Sequence, residues 1–161
     1  MKMYLLAGLM LAGAVVTAAP GDQDEAPVTY LPNALNSKIV TVTTAGQPAT
    51  RIIVQTLGTA IKENGPRETV AKYGEVYAFA PATIMVHREE ATQIEFWNLQ
   101  PDDDHDFMLM DPHWSVLMKV PLTALQKTSY IFTFHQEGLF TFMCAMHQPA
   151  MSGQILVLPP R

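Results

Sequence analysis

Phe142-Met143-Cys144-Ala145-Met146-His147-Gln148-Pro149-Ala150-Met151-Ser152-Gly153 decides how the whole chain reads. Before it runs Leu139-Phe140-Thr141-Phe142-Met143, and after it Gly153-Gln154-Ile155-Leu156-Val157-Leu158, both strand-like. The stretch between them is therefore a connecting loop, and it carries a thiol, an imidazole and a thioether. Such soft and borderline donors suit copper: thiolate and imidazole bind strongly in a trigonal plane, and thioether binds weakly on the axis. A loop anchored by strands at both ends holds these donors with little freedom to rearrange, which suits one-electron exchange. The plane needs a second imidazole. His105 is the best placed: it follows the turn-rich Asn98-Leu99-Gln100-Pro101-Asp102-Asp103-Asp104 and opens the apolar run Asp106-Phe107-Met108-Leu109-Met110.

Cys144 is the only cysteine among 161 residues. The amino terminus reads as a secretory signal over residues 1–19, with Lys2, an apolar run from Tyr4 to Val16, and Thr17-Ala18-Ala19 for cleavage. An uncleaved anchor is the alternative, although the run is short for a membrane span. A periplasmic or secreted location follows, and there a lone thiol cannot form an internal disulfide. It is a free reactive group, an intermolecular bridge or a metal ligand. Its loop neighbours favour the ligand.

Working outward, residues 20–37 lack a clean period and predict a flexible arm, leaving a single domain over residues 38–161. Ile39 to Thr43 and Arg51 to Thr56 are β-branched runs separated by Ala45-Gly46-Gln47-Pro48. Glu68 to Tyr73 fits either a short helix or a strand. Thr83 to His87 alternates, with Ile84 and Val86 on one face, and Gln93 to Trp97 alternates with Ile94 and Phe96 together. Tyr130 to Phe134 and Leu139 to Met143 are aromatic strands, which Gln136-Glu137-Gly138 is expected to join as a tight hairpin. Many short strands with regular turns predict an all-β sandwich.

The second half resembles the cupredoxins, the group that includes plastocyanin, azurin and amicyanin. The resemblance rests on Phe79-Ala80-Pro81-Ala82-Thr83-Ile84-Met85-Val86, on Phe96-Trp97-Asn98 followed by His105, on the run from Gly138 to Cys144, and on Gly153 to Val157. It covers Val76 to Pro159. The spacing from Cys144 to His147 is like that of plastocyanin and amicyanin, and the spacing from His147 to Met151 is like that of azurin. The resemblance implies a Greek-key β-sandwich holding one copper ion in a type 1 site, with His105, Cys144 and His147 in the plane and Met151 on the axis. It also implies a carrier of single electrons between periplasmic redox partners such as cytochromes or oxidoreductases, and not an enzyme. A binuclear copper centre needs two thiolates, and this chain has one.

Blander readings stand beside these. Cys144 can be a small core residue, Met151 a hydrophobic plug, His105 a turn residue and His147 a solvated loop residue. His87 and His135 sit on strand faces as surface or satisfied core residues, and His113 has no partner at ligand spacing. Met108, Met110, Met118, Met143 and Met146 read mostly as core or rim packing, and exposed ones can receive Cu(I) or form a docking patch. Copper delivery or storage, a mononuclear site acting on a small ligand such as an oxide of nitrogen, and a scaffold without metal are the competing functions. A net charge of −5 and the lack of a basic patch argue against nucleic acid. No nucleophile–base pair, glycine-rich phosphate loop or zinc-type cysteine pair is recognisable.

Overall fold

The computed structural model describes residues 29–161. The expected signal sequence lies outside the described residues. Ten strands form two sheets: β1 (Val40–Thr43), β2 (Thr50–Ala60), β3 (Val76–Ala80), β4 (Thr83–His87), β5 (Thr92–Trp97), β6 (His105–Met110), β7 (Val116–Leu122), β8 (Lys127–Phe134), β9 (Gly138–Met143) and β10 (Ser152–Leu158). One sheet has the order β1-β8-β5-β2-β3 and the other β4-β10-β9-β6-β7. The pairs β2–β5 and β4–β10 are parallel, and the remaining neighbours are antiparallel. Among the described residues no helix is long and apolar enough to cross a membrane.

The alternating pattern dictates which faces meet. Ile84, Val86, Ile94 and Phe96 are buried as their period of two requires. So are Phe107, Leu109, Phe132, Phe134, Phe140, Phe142, Ile155 and Val157, which place one apolar row per strand between the sheets. Aromatic rings fill the interior, with Phe96 against Phe107 at 4.4 Å between centroids and Phe134 against Phe140 at 4.9 Å. Each such side chain stabilises the fold by about 1.5–3 kcal/mol through removal from water.

Two expectations change. The segment around Gln136-Glu137-Gly138 does not close a hairpin, because β8 and β9 belong to different sheets. Phe134 and Phe140 therefore face each other across the core instead of pointing the same way from one ladder. The connection is a crossover, and Gly138 takes it at a φ of 139°. Within the stretch expected to be a flexible arm, the described residues are docked. Tyr30 and Lys119 exchange backbone hydrogen bonds along β7, and Asn36–Lys38 form a 3₁₀ turn. Asn33 Oδ1 accepts the N–H groups of Leu35 and Asn36 to start that turn. The undecided segment is helical: α1 spans Arg67–Tyr73, within the excursion between β2 and β3.

Candidate metal centre

His105, Cys144 and His147 come together at one end of the sandwich, with one donor atom from each lying within 4.8 Å of the others. The sequence places them there for separate reasons. His105 is the first residue of β6 and shares the inward face with Phe107 and Leu109. The loop before it is wound around the buried Asn98 side chain. Asn98 Nδ2 donates to the carbonyls of Asp103 and Leu122, each at 2.8 Å, while its Oδ1 accepts Thr56 Oγ1–H at 2.8 Å and Gln100 N–H at 3.1 Å. One amide side chain thus fixes the loop that delivers His105.

Cys144 follows β9, and the loop to β10 is closed by its own backbone. Cys144 N–H donates to Met151 O at 2.9 Å, Met151 N–H to His147 O at 3.0 Å, and Gln148 Nε2 to Cys144 O at 2.5 Å. Cys144 and Met151 have no exposed surface, so Met151 lies under the loop. Gly153 lets β10 pass close beneath: a Cβ there would overlap the Phe142 ring and the Ala82 carbonyl.

The Nδ1 atoms of His105 and His147 lie 3.1 Å apart, and Cys144 Sγ is 3.5 Å from His147 Nδ1. Tyr77 of β3 walls the cluster, its ring centroid 4.8 Å from that of His105 and 4.6 Å from that of His147. Its hydroxyl donates to Asp103 Oδ2 at 2.5 Å. Burial first, and then this bond to Asp103, push the Tyr77 hydroxyl well above its ordinary range, so it stays protonated.

Burial pushes the His105 pKa down to about 4, with a neighbouring His147 charge acting in the same direction. The ring is therefore in its neutral, metal-binding form at neutral pH. Burial also raises the Cys144 thiol, so a metal here displaces a proton on binding. His105 Nε2 is buried with no hydrogen-bond partner. A buried ring with one nitrogen unpartnered and the other facing only a second imidazole is poor packing but suits a ligand. One thiolate and two imidazoles with a buried methionine nearby fit a soft metal such as copper.

The remaining histidines are elsewhere. His135 lies between Thr41 Oγ1 at 2.8 Å and Glu89 Oε2 at 2.9 Å, and His87 Nδ1 meets the Pro159 carbonyl at 2.6 Å. His113 is exposed in the turn after β6, outside the cluster. Met110 and Met118 are core residues, Met108 and Met143 are half-buried, and Met146 is exposed beside the cluster.

Asn98, Tyr77, Asp103 and Asp106 went unread as supports of the site. The signal for Asp106 was available. A carboxylate one residue after His105, in a strand otherwise apolar, sits on the opposite face to the ligand and needs a partner. Nothing in the sequence placed Tyr77, because its strand reaches the site only through the assembled sandwich.

No family model matches the chain, and no curated protein matches it. Its structure is similar to auracyanin B, with a TM-score of 0.55 and 14% identity over 76% of this chain and 99% of that one. It is similar also to a dithionite-reduced auracyanin from the photosynthetic bacterium Roseiflexus castenholzii, at 0.52 and 13% identity over 70% of this chain and 100% of that one. A multicopper oxidase aligns at 0.51 and 13% identity over 70% of this chain, which spans 45% of the oxidase chain. At such identities the likeness is one of fold. The two-sheet sandwich and these neighbours give the chain the cupredoxin fold, and its His105–Cys144–His147 cluster fits a type 1 copper site.

Proposed function

We propose that the chain binds one copper ion through His105, Cys144 and His147, with Met151 as a weak axial ligand, and carries single electrons between redox proteins of a periplasmic or secreted compartment. The observation that carries this reading is the convergence of two imidazoles and one thiol within 4.8 Å at the end of a rigid sandwich. Bound copper supplies the one-electron Cu(I)/Cu(II) couple. The chain supplies the rest. β6 and the hydrogen-bonded loop fix the donors, so little nuclear movement would accompany exchange. The burial of His105, Cys144 and Met151 excludes water. His147 is the half-buried member of the cluster and gives electrons their shortest way to the surface. With Met151 as a fourth donor, copper would have no open position for a small substrate, which favours a carrier over an enzyme.

An absorption and EPR spectrum of the copper-loaded protein tests the reading. The expected result is an intense thiolate-to-copper visible band that disappears in Cys144→Ser. A protein that takes up copper without that band is not a type 1 site. Slow electron exchange with a cytochrome together with fast loss of Cu(I) to a chelator would replace the carrier by a delivery protein.

A further inference from the structure

Asp106 touches the Cys144 loop twice without being a ligand, and it pairs with a lysine. Its backbone N–H points at Cys144 Sγ at 3.4 Å, its Oδ1 accepts the N–H of Ala145 at 2.7 Å, and its Oδ2 pairs with Lys119 Nζ at 3.3 Å. The side chain is almost wholly buried, at 7% exposure, whereas that of Lys119 is 36% exposed. Lys119 sits on β7 opposite Met108, and its backbone N–H and carbonyl are both bonded to Tyr30. A buried carboxylate left without its cation is strongly disfavoured, and the ion pair with Lys119 and the bond from Ala145 N–H fix the Asp106 side chain next to the Cys144 loop.

Resting on the copper reading above, we infer that Asp106 and Lys119 form an opposed charge pair that sets the preference of the site between Cu(II) and Cu(I). The sign follows from charge alone. The oxidised centre carries one more positive charge than the reduced one, so Asp106 favours Cu(II) and Lys119 favours Cu(I). The Asp106 contribution is little screened because its side chain is buried, and the Lys119 contribution is screened more because that side chain is 36% exposed. The two charges oppose each other, and removing either one leaves the other uncompensated.

The experiment measures the ratio of Cu(I) to Cu(II) affinity, read as the reduction potential, in the full chain and in Asp106→Asn, Lys119→Met and the double variant. Asparagine keeps an oxygen for Ala145 N–H and removes the charge. Asp106→Asn is expected to shift the ratio about tenfold toward Cu(I), and Lys119→Met to shift it several-fold toward Cu(II). The double variant is expected to lie between the two. Melting of the metal-free proteins is followed in parallel, because a purely structural role lowers stability in both single variants and gives no reason for potential shifts of opposite sign. Shifts of the same sign, or no shift in either single variant, would overturn the inference. Where Asp106→Asn fails to fold, Lys119→Met and Lys119→Glu decide: the second must move the ratio further toward Cu(II) than the first. Absence of the visible band in the unaltered protein is a different failure, because it removes the copper reading itself.

Discussion

The two ends of the sandwich use histidine in opposite ways. At the far end His135 has a hydroxyl on one nitrogen and a carboxylate on the other, and His87 meets a backbone carbonyl. Arg88, Glu89 and Glu137 surround them with exposed ion pairs. At the site end His105 Nδ1 faces a second imidazole and its Nε2 has no partner at all. The protein gives the far-end imidazoles hydroxyl, carboxylate and carbonyl partners, and gives the site imidazoles only each other and a thiol. What separates the two ends is the kind of partner each imidazole meets, not how deeply it is buried.

The sharpest way to break this comparison is to exchange the treatment of the two ends. His105→Ala is expected to abolish the visible copper band, while His135→Ala leaves it intact. Titration of both variants with copper, followed by absorption, checks this, and loss of the band in His135→Ala would erase the distinction between the ends.

The next effect is acid sensitivity of the metal-free protein. The His105 pKa is held at about 4 in the folded chain, against about 6.5 when unfolded. Below pH 6.5 the unfolded chain therefore binds the extra proton first, and stability falls as pH drops toward 4. The loss approaches about 3 kcal/mol below both values. Urea unfolding between pH 7 and 4 measures it. His105→Ala is expected to flatten that part of the profile, and copper to protect against it.

Smaller effects belong to the far end. His135→Ala is expected to cost about 1 kcal/mol through its two hydrogen bonds, and Arg88→Ala about 0.5 kcal/mol or less, since its carboxylate partners are solvated. Thermal melting of the metal-free proteins orders the two. A larger cost for Arg88→Ala would show that the exposed ion pairs, not the satisfied histidines, hold that end.

Much of this was legible in the chain. The alternation at Ile84 and Val86, and at Ile94 and Phe96, fixed which residues turn inward, and the loop after Phe142 displayed its donors in order. His105 at a strand start was legible because a histidine among turn residues has one obvious strand to open. Sheet membership was not. A short link such as Gln136-Glu137-Gly138 satisfies a hairpin and a crossover equally well, and only the packing of Phe134 against Phe140 chooses between them. β7 was also passed over. Pro121 lies within it and removes a ladder donor, which an edge strand tolerates. The partners of the site, Tyr77 and Lys119, come from strands distant in sequence, and their roles exist only after assembly.

The bridge between Tyr30 and β7 has a consequence for how the sheet ends. β7 closes one side of its sheet, and an uncovered sheet margin invites pairing with another chain. Tyr30, ahead of the first full strand, occupies part of that margin by pairing with Lys119. A chain trimmed beyond Tyr30 keeps every ligand and every core aromatic, yet presents a bare margin carrying the exposed Val116. Removal of the residues through Tyr30 is therefore expected to promote self-association, which size-exclusion chromatography of the shortened chain checks.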